Sequence, residues 1–327
     1  MGSKSRSSRR HLVSAGLGLL LFAGAVFVLR SELREHSLYE IVGQLRGFPP
    51  VRLVLALAAT ALGYLSLAGY DAISLAYLER RLPFRRVVYA AFLGYAFANS
   101  LPLSIVTGAT VRYRLYSQWG LARNQAARVV TLNTITYAVG LLATAGLALA
   151  VQPVLMPGFL RLPLHSARPF GFACLAVVAG YLAWSSRPGG DLRIGHWDLP
   201  RPTLGRALAQ LAVSAADWVF SGAALYALLP HEVPFHVFFA VFLLGQIAAL
   251  VAQIPGGLGV FEAVILWGLR PALSTPAILV GLVGYRLIYF LLPLVVATAI
   301  WVVREARGWY RRRRGSSVRR ASAAWNS

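Results

Sequence analysis

Long runs of apolar residues, separated by short polar stretches, dominate the pattern of this 327-residue chain. A helix needs about 20 residues to cross a hydrocarbon core about 30 Å thick, and most of the runs approach or exceed that length. The pattern therefore predicts a bundle of membrane-embedded helices, with charged residues lying mainly between them. The eight apolar runs are 12–29, 51–77, 87–107, 128–151, 169–185, 207–229, 235–254 and 276–303.

Two of the eight runs are interrupted by residues that stop a helix. The third run contains Asn99-Ser-Leu-Pro102 and then Gly108, and the seventh ends in Gln253-Ile-Pro-Gly-Gly-Leu-Gly259. The apolar piece 260–270 that follows covers only about 16 Å as a helix, too short to cross alone. Such segments predict re-entrant hairpins, which leave the membrane on the side they entered. The predicted break residues are Asn99, Pro102, Gly108, Pro255, Gly256, Gly257 and Gly259.

The arginine distribution favours two hairpins over eight full crossings. The chain has 32 Lys+Arg against 11 Asp+Glu. With an inside N-terminus, eight full crossings place 18 of these cations inside and 13 outside, whereas two hairpins place 24 inside and 7 outside. Cytoplasmic loops carry an excess of Lys and Arg, so we predict six full spans, two re-entrant hairpins and cytoplasmic N- and C-termini.

The order of the segments predicts an inverted-topology repeat. Two spans, a hairpin and a span recur from opposite faces in residues 12–151 and 169–303. Paired broken segments in such repeats point to a binding site near the middle of the membrane. We therefore predict an all-α polytopic membrane protein whose transmembrane domain is 12–303. Residues 1–11 are predicted as a basic cytoplasmic N-terminus, and 304–327 as a basic, disordered cytoplasmic tail attracted to anionic inner-leaflet lipids.

Composition removes several function classes. Hydrophobic residues make up 57% of the chain and charged residues 13%, against about 25% charged in soluble domains. The arginines lie at the ends of apolar runs, so we expect no nucleic-acid partner. Lys4 is the only lysine, which excludes P-loop and Schiff-base lysine chemistry. With one cysteine, Cys174, and six scattered histidines, the sequence predicts no disulfide, metal, cofactor or catalytic site.

Few charged residues lie within the apolar segments, and each is a candidate for function. Asp71, Asp217 and Arg286 lie inside runs, Glu262 follows the second break, and Arg112 follows the first. A charge at the centre of a membrane helix costs about 2.5–3.5 kcal/mol on insertion scales, so such residues are usually paired or functional. As one binding set, the acids would hold a lipid ammonium and the arginines its phosphate.

A structural explanation remains open for most of these residues. Asp71 lies near the inner end of its span, where its side chain can reach the interface. Glu262 and Arg286 can form an ion pair that only stabilises the fold, and Arg112 can be one more inner-leaflet arginine. Charged residues at helical spacing in 108–128 predict an amphipathic helix on the inner surface.

Three motifs resemble the bacterial lysylphosphatidylglycerol synthase/flippase family, the multiple peptide resistance factor. They are the stretch Thr107–Leu121, Pro255-Gly-Gly-Leu-Gly-Val-Phe-Glu262, and Tyr285-Arg-Leu-Ile-Tyr-Phe-Leu-Leu-Pro293. The resemblance covers about 10–305, with one departure at Ala109, where the family often has a second glycine. It implies a domain that moves aminoacylated phosphatidylglycerol to the outer leaflet. Family members that make this lipid carry a further soluble domain, so we expect the flippase part only and no enzyme activity.

Two other functions are also compatible with the sequence. The chain can be the membrane component of a lipid-linked glycosyltransferase or glycolipid assembly system. It can also be a scaffold subunit for a separately encoded aminoacyl-lipid synthase, and a homo-oligomer is compatible with any of the three. The leading hypothesis is a flippase-like transporter with a phospholipid substrate, in the bacterial inner membrane.

Overall fold

Nine helices and one short β-hairpin make up the part of the chain that the computed structural model describes. Residues 47–100, 104–152, 166–187, 192–194, 197–199, 201–252 and 259–306 are described. In chain order the helices are α1 (Pro50–Tyr77), α2 (Phe84–Ser100), α3 (Ser104–Gln118), α4 (Arg123–Val151), α5 (Arg168–Ser186), α6 (Leu204–Tyr226), α7 (Phe235–Ala252), α8 (Val260–Leu269) and α9 (Thr275–Ala306).

Five of the described helices, α1, α4, α5, α6 and α9, are long and apolar enough to cross a membrane. They coincide with five of the predicted runs, so the polytopic helical class is confirmed. Pro50, Pro169 and Pro276 lie in the first turns of α1, α5 and α9, where a helix does not need the missing N–H group. The predicted first run, 12–29, lies outside the described residues, and the count of eight segments stays a prediction.

The first interrupted run and the residues after it form an antiparallel pair of helices, α2 and α3. Gly94 packs against Arg112, and a Cβ on Gly108 would lie 2.9 Å from the Ala98 Cβ. The residue nearer the C-terminus of α2 contacts the residue nearer the N-terminus of α3, so the two helices are antiparallel. α2 ends at Ser100 and α3 begins at Ser104, and residues 101–103, among them the predicted break residue Pro102, lie outside the described residues. Asn99 is in the last turn of α2, where the break was predicted.

Gly108 differs from its predicted role. It lies inside α3 rather than at the break, because the chain turns before Ser104 and re-enters a helix there. Its lack of a side chain instead permits the close approach of α2. The predicted amphipathic helix at 108–128 also differs, since α3 ends at Gln118 and α4 begins at Arg123, with Gly120 at φ +91° between them. α3 buries Val111, Leu115 and other side chains in the bundle.

The second interrupted run forms a similar antiparallel pair, α7 and α8. A Cβ on Gly245 would lie 3.0 Å from the Phe261 ring, and Gly268 packs against Val241. α8 has only 10 residues, about 15 Å of helix. Gly259, at φ +84°, immediately precedes it in a conformation that favours glycine. Pro255, Gly256 and Gly257 lie outside the described residues.

α1 and α6 cross at the centre of the bundle in antiparallel directions. A Cβ on Gly69 would lie only 2.7 Å from Val213 Cγ1, and one on Gly63 would lie 3.7 Å from the Phe220 Cβ. This close approach depends on small residues at the contact, as in other membrane helix pairs. The crossing brings the two apolar runs that carry Asp71 and Asp217 against each other.

Many large apolar side chains are exposed on the bundle, whereas several charged groups are buried inside it. Val151, Phe172 and Val177 are about 60% exposed, and Asp71 is 0% exposed. This arrangement is the reverse of a soluble protein and fits a hydrocarbon environment.

The structure differs from the sequence-based prediction in a short β-hairpin and in the end of the last helix. A two-stranded antiparallel hairpin, β1 (Leu192–Ile194) and β2 (Trp197–Leu199), lies between α5 and α6 and was not predicted. α9 continues to Ala306, beyond the predicted start of the tail at 304, because Arg304 contacts the Tyr89 ring and Glu305 pairs with Arg114. Residues 307–327 lie outside the described residues.

The α2–α3 pair predicts that its two ends face the same side of the membrane. Single cysteines at the exposed positions Arg81 and Asn124, in a Cys174→Ser background, should both react with an impermeant maleimide from one side. A cysteine at Ala272, between α8 and α9, should react only from the other side. Labelling of Arg81→Cys and Asn124→Cys from opposite sides would show that the pair crosses the membrane.

Candidate functional site

Asp71 is the acceptor of a buried charge network between α1, α3 and α4. The Arg112 Nε group donates to both carboxylate oxygens, at 3.1 Å and 3.2 Å. The Tyr116 hydroxyl and the Asn133 amide also donate to Asp71. Ser74 donates to the Asn133 carbonyl oxygen at 2.6 Å and orients that amide. The Asp71 charge is therefore matched inside the protein and does not reach an interface.

Arg112 is held by α2 as well as by Asp71. Its guanidinium lies 4.0 Å from the centre of the Tyr95 ring, in the geometry of a cation–π contact. Gly94 leaves the space that the guanidinium occupies. The Arg112 side chain is only 6% exposed, and its Nη2 atom has no hydrogen-bond partner among the described residues. The interpretation of Arg112 as an ordinary surface arginine is therefore wrong.

Glu262 and Arg286 form a second ion pair, between α8 and α9. Arg286 Nε donates to Glu262 Oε1 at 2.8 Å, and Nη2 donates to the same oxygen. The second carboxylate oxygen accepts the Gly259 N–H at 2.8 Å, which satisfies a free donor at the start of α8. Both side chains are about 20% exposed, so this pair is more accessible than the Asp71 pair.

Both helix pairs contact one irregular stretch of α9. Residues Arg286–Leu291 form a π-helical turn, which we call the π segment. On its α2 side, Ser100 Oγ donates to the Phe290 carbonyl and the Tyr64 hydroxyl to the Tyr289 carbonyl, both at 3.3 Å. On its α8 side, Glu262 binds Arg286. π-helical turns occur frequently at functional sites, and this one is where the ends of both interrupted runs meet.

Asp217 lies in α6, is only 5% exposed and has no basic ion-pair partner among the described residues. Its Oδ2 atom accepts a hydrogen bond from the Tyr70 hydroxyl at 3.0 Å, and that hydroxyl lies 2.8 Å from Ser214 Oγ. Asp217 is therefore buried without a compensating charge. Tyr70 is one of six tyrosines in this part of the bundle, placed by their ring contacts with one another and with Trp218, and we call them the tyrosine shell: Tyr64, Tyr70, Tyr95, Tyr137, Tyr285 and Tyr289.

The five predicted charged residues therefore form three local sites rather than one open pocket. Asp71 pairs with Arg112, and Glu262 pairs with Arg286. Asp217 connects to the Arg112 site through aromatic rings, because Tyr95 stacks on Arg112 and lies 6.1 Å, centre to centre, from Tyr70. Ser221, about one helical turn after Asp217, lies 2.8 Å from the hydroxyl of Tyr285, which immediately precedes the π segment. In the described ranges, no three His, Cys, Asp or Glu residues lie close enough to hold a metal ion.

Sequence reasoning missed the tyrosine shell. No role was predicted from the sequence for tyrosines within the apolar runs, but Tyr64, Tyr70, Tyr285 and Tyr289 lie well inside runs and are at most 6% exposed. A tyrosine in the middle of an apolar run needs a partner for its hydroxyl, as do Asn133 and Gln210 for their amides. That requirement was the available signal that these residues face the interior.

The fold and the interior charges define an integral membrane protein whose helices surround a polar centre. The chain belongs to the family described as the lysylphosphatidylglycerol synthase TM region, whose family model matches residues 15–297. The resemblance that the three motifs indicated is thus confirmed. A protein of Synechocystis sp. named uncharacterized protein slr0712 is 35% identical over 285 residues, which cover 86% of this chain and 88% of the relative.

Two further relatives connect the chain to bacterial membranes and their lipids. The inner membrane protein YbhN of Escherichia coli is 29% identical over 302 residues, 91% of this chain and 94% of that protein. A phosphatidylglycerol lysyltransferase of Staphylococcus xylosus is 36% identical over 89 residues, which are 26% of this chain and 11% of the lysyltransferase. The family and these names indicate a multi-pass membrane protein with a role related to membrane lipids.

The buried ion pair predicts a large penalty when only one partner is removed. Arg112→Met strands the Asp71 carboxylate, which should destabilise the protein by about 3–5 kcal/mol. Adding Asp71→Asn should recover most of that loss, because no uncompensated charge remains. The measurement is the unfolding midpoint of the purified protein in detergent, followed by tryptophan fluorescence.

Glu305→Gln is the matched control for this prediction. It breaks the Arg114–Glu305 pair, in which Glu305 is 43% exposed, so its effect should stay below about 1 kcal/mol. Equal loss in the single and double variants at Arg112 and Asp71 would mean that a stranded charge is not the cause.

Proposed function

We propose that the chain is a flippase-like transporter that moves aminoacylated phosphatidylglycerol, of lysyl or alanyl type, or a related phospholipid between membrane leaflets. The observation that carries the proposal is the set of charges inside the helix bundle: two ion pairs, and Asp217, which pairs with no basic residue in the described ranges. A structural core has no need for three such sites, since apolar side chains would pack at least as stably. Membership of the lysylphosphatidylglycerol synthase TM family supports the lipid as substrate.

The chemistry of the head group fits these sites. Aminoacylated phosphatidylglycerol carries an ammonium and a phosphate, and an unmatched charge cannot pass through a low-dielectric path. Asp71, Asp217 and Glu262 can each accept from an ammonium, whereas Arg112 and Arg286 can each donate to a phosphate. The head group would then replace one partner of an ion pair at a time, so that no charge is stranded during its passage.

Arg112 is the best-supported phosphate ligand. Its Nε is occupied by Asp71, but the buried Nη2 has a hydrogen to donate and no partner among the described residues. A phosphate oxygen would satisfy that donor. Arginine suits this role because its planar guanidinium presents several donors in a fixed arrangement.

We further propose that the two halves form an inverted repeat. The antiparallel crossing of α1 and α6, and the occurrence of one helix pair after each of them, support this arrangement. The two predicted breaks, at residues 99–102 and 255–259, would then lie near the membrane centre. Their re-entrant placement would bring the π segment to the substrate path.

The proposed location is the bacterial inner membrane, with both termini in the cytoplasm. The arginine distribution and the name of the Escherichia coli relative support it. Anionic lipids of the inner leaflet would bind the basic surface there. A separate aminoacyl-lipid synthase would supply the substrate, and this chain would transport the lipid without chemical change.

The test is the movement of lysylphosphatidylglycerol in proteoliposomes that contain the full chain. A first treatment with an amine-reactive, impermeant label blocks the outer-leaflet amines, and a second label then measures the rate of new exposure. The wild-type protein should raise that rate at least tenfold over protein-free vesicles. Asp217→Asn and Glu262→Gln should each lower it by about tenfold or more, since one charge match is lost.

Glu305→Gln serves again as control, because it removes an acidic charge outside the proposed sites, and its rate should equal wild type. Exposure no faster than in protein-free vesicles would overturn the flippase proposal in favour of a scaffold or a glycolipid assembly role. Full rates in both acidic variants would instead overturn the assignment of the sites.

A further inference from the structure

Asp217 differs from Asp71 and Glu262 in having no matching cation among the residues that the structure describes. Burying a lone carboxylate costs several kcal/mol, and the usual response is to bind a proton or a cation. The carboxylate accepts one hydrogen bond, from Tyr70, which cannot offset that cost alone. In the described part of the chain, Asp217 thus lacks one positive charge to compensate its carboxylate.

The neighbouring hydroxyls can accommodate either protonation state without moving. Tyr70 lies between Ser214 and Asp217, and each hydroxyl can donate one hydrogen and accept others. When Asp217 is charged, Tyr70 donates to it and Ser214 donates to the Tyr70 oxygen. When Asp217 is protonated, it donates to Tyr70, which then donates to Ser214. The same heavy-atom positions serve both states.

The groups that face Asp217 from the packed helices provide no permanent cation. α7 presents the rings of Phe239 and Phe242 to α6, and α5 presents Tyr181, which donates to Gln210. The interior arginines Arg112 and Arg286 are engaged by Asp71 and Glu262. The remaining titratable neighbours belong to the tyrosine shell: Tyr64 and Tyr70 of α1, Tyr95 of α2, Tyr137 of α4, and Tyr285 and Tyr289 of α9.

The tyrosine shell suits an ammonium group. The Asp217 carboxylate supplies the charge opposite to an alkylammonium ion, and aromatic rings in the same part of the bundle attract such an ion when it is desolvated. A phosphate or another anion would be repelled by the Asp217 carboxylate. The chemistry therefore selects a primary ammonium over an anionic group.

We propose that Asp217 exchanges a proton for the ammonium of the lipid, so that each head group that binds releases one proton to water. The inference rests on the proposed function only for the identity of the cation. The carboxylate would hold one positive charge at all times, either a proton or an ammonium, and never both. Lipid movement would in this way be coupled to proton movement in the opposite direction.

The test measures proton release from the purified full chain in detergent, in weakly buffered solution near pH 6, with octylammonium as the probe. Wild-type protein should release about one proton for each octylammonium that binds, reported by a pH-sensitive dye. By linkage, the apparent affinity should rise about tenfold for each pH unit over the range where Asp217 is protonated. Both effects should disappear in Asp217→Asn, which keeps the shape of the side chain, and persist in Glu305→Gln.

Three results would overturn the exchange: binding without proton release, an affinity that does not change with pH, or proton release that persists in Asp217→Asn. The outcome is separable from the transport assay. Proton release on octylammonium binding, without exposure of lysylphosphatidylglycerol in the transport assay, would support the cation site at Asp217. It would also show that the lipid ammonium is not the cation that binds there. Lipid exposure whose rate is the same under opposite pH gradients, at constant external pH, would overturn the coupling and leave the flippase proposal in place.

Discussion

Inside the bundle, a charge is tolerated only where another group compensates it, and the rest of the structure depends on this constraint. In the Asp71–Arg112 pair both charges are compensated: two further donors bind the carboxylate, and an aromatic ring lies against the guanidinium. These contacts join α1, α2, α3 and α4 around one carboxylate. The ion pair therefore determines how the first helix pair packs on its neighbours, and loss of either charge affects more than local stability.

The same constraint explains why tyrosine and small polar residues lie beside the interior charges, in a core whose other buried residues are mostly aliphatic. Tyrosine fills volume as phenylalanine does, but its hydroxyl adds a donor where a charge or a free carbonyl needs one. Tyr70 meets the carboxylate of Asp217, and Tyr64 meets a backbone carbonyl of the π segment. Glycines permit the close approach, as Gly69 does at the crossing of α1 and α6.

Sequence alone was sufficient for features that depend on local composition. Apolar run length gave the five long helices, and Asn99 marked the end of α2 correctly because a helix-breaking Pro102 follows. The pairing of charges could not be obtained in this way, since Asp71 and Arg112 are 41 residues apart and meet only through the packing of three helices. Gly108 shows the same limit: a glycine in a helix can serve a turn or a tight contact, and only the neighbouring helix distinguishes them.

The π segment gives α9 a property that a regular helix lacks. A π turn contains one residue more than an α turn, so its conversion to α-helix would rotate one end of α9 relative to the other by about 100° and shift it by about 1.5 Å. Arg286 would then turn away from Glu262 while Trp301 kept its place against Phe97. The ends of both helix pairs thus contact the stretch of α9 where such a change of register would occur, so that a change at this turn would alter the contacts of both pairs together.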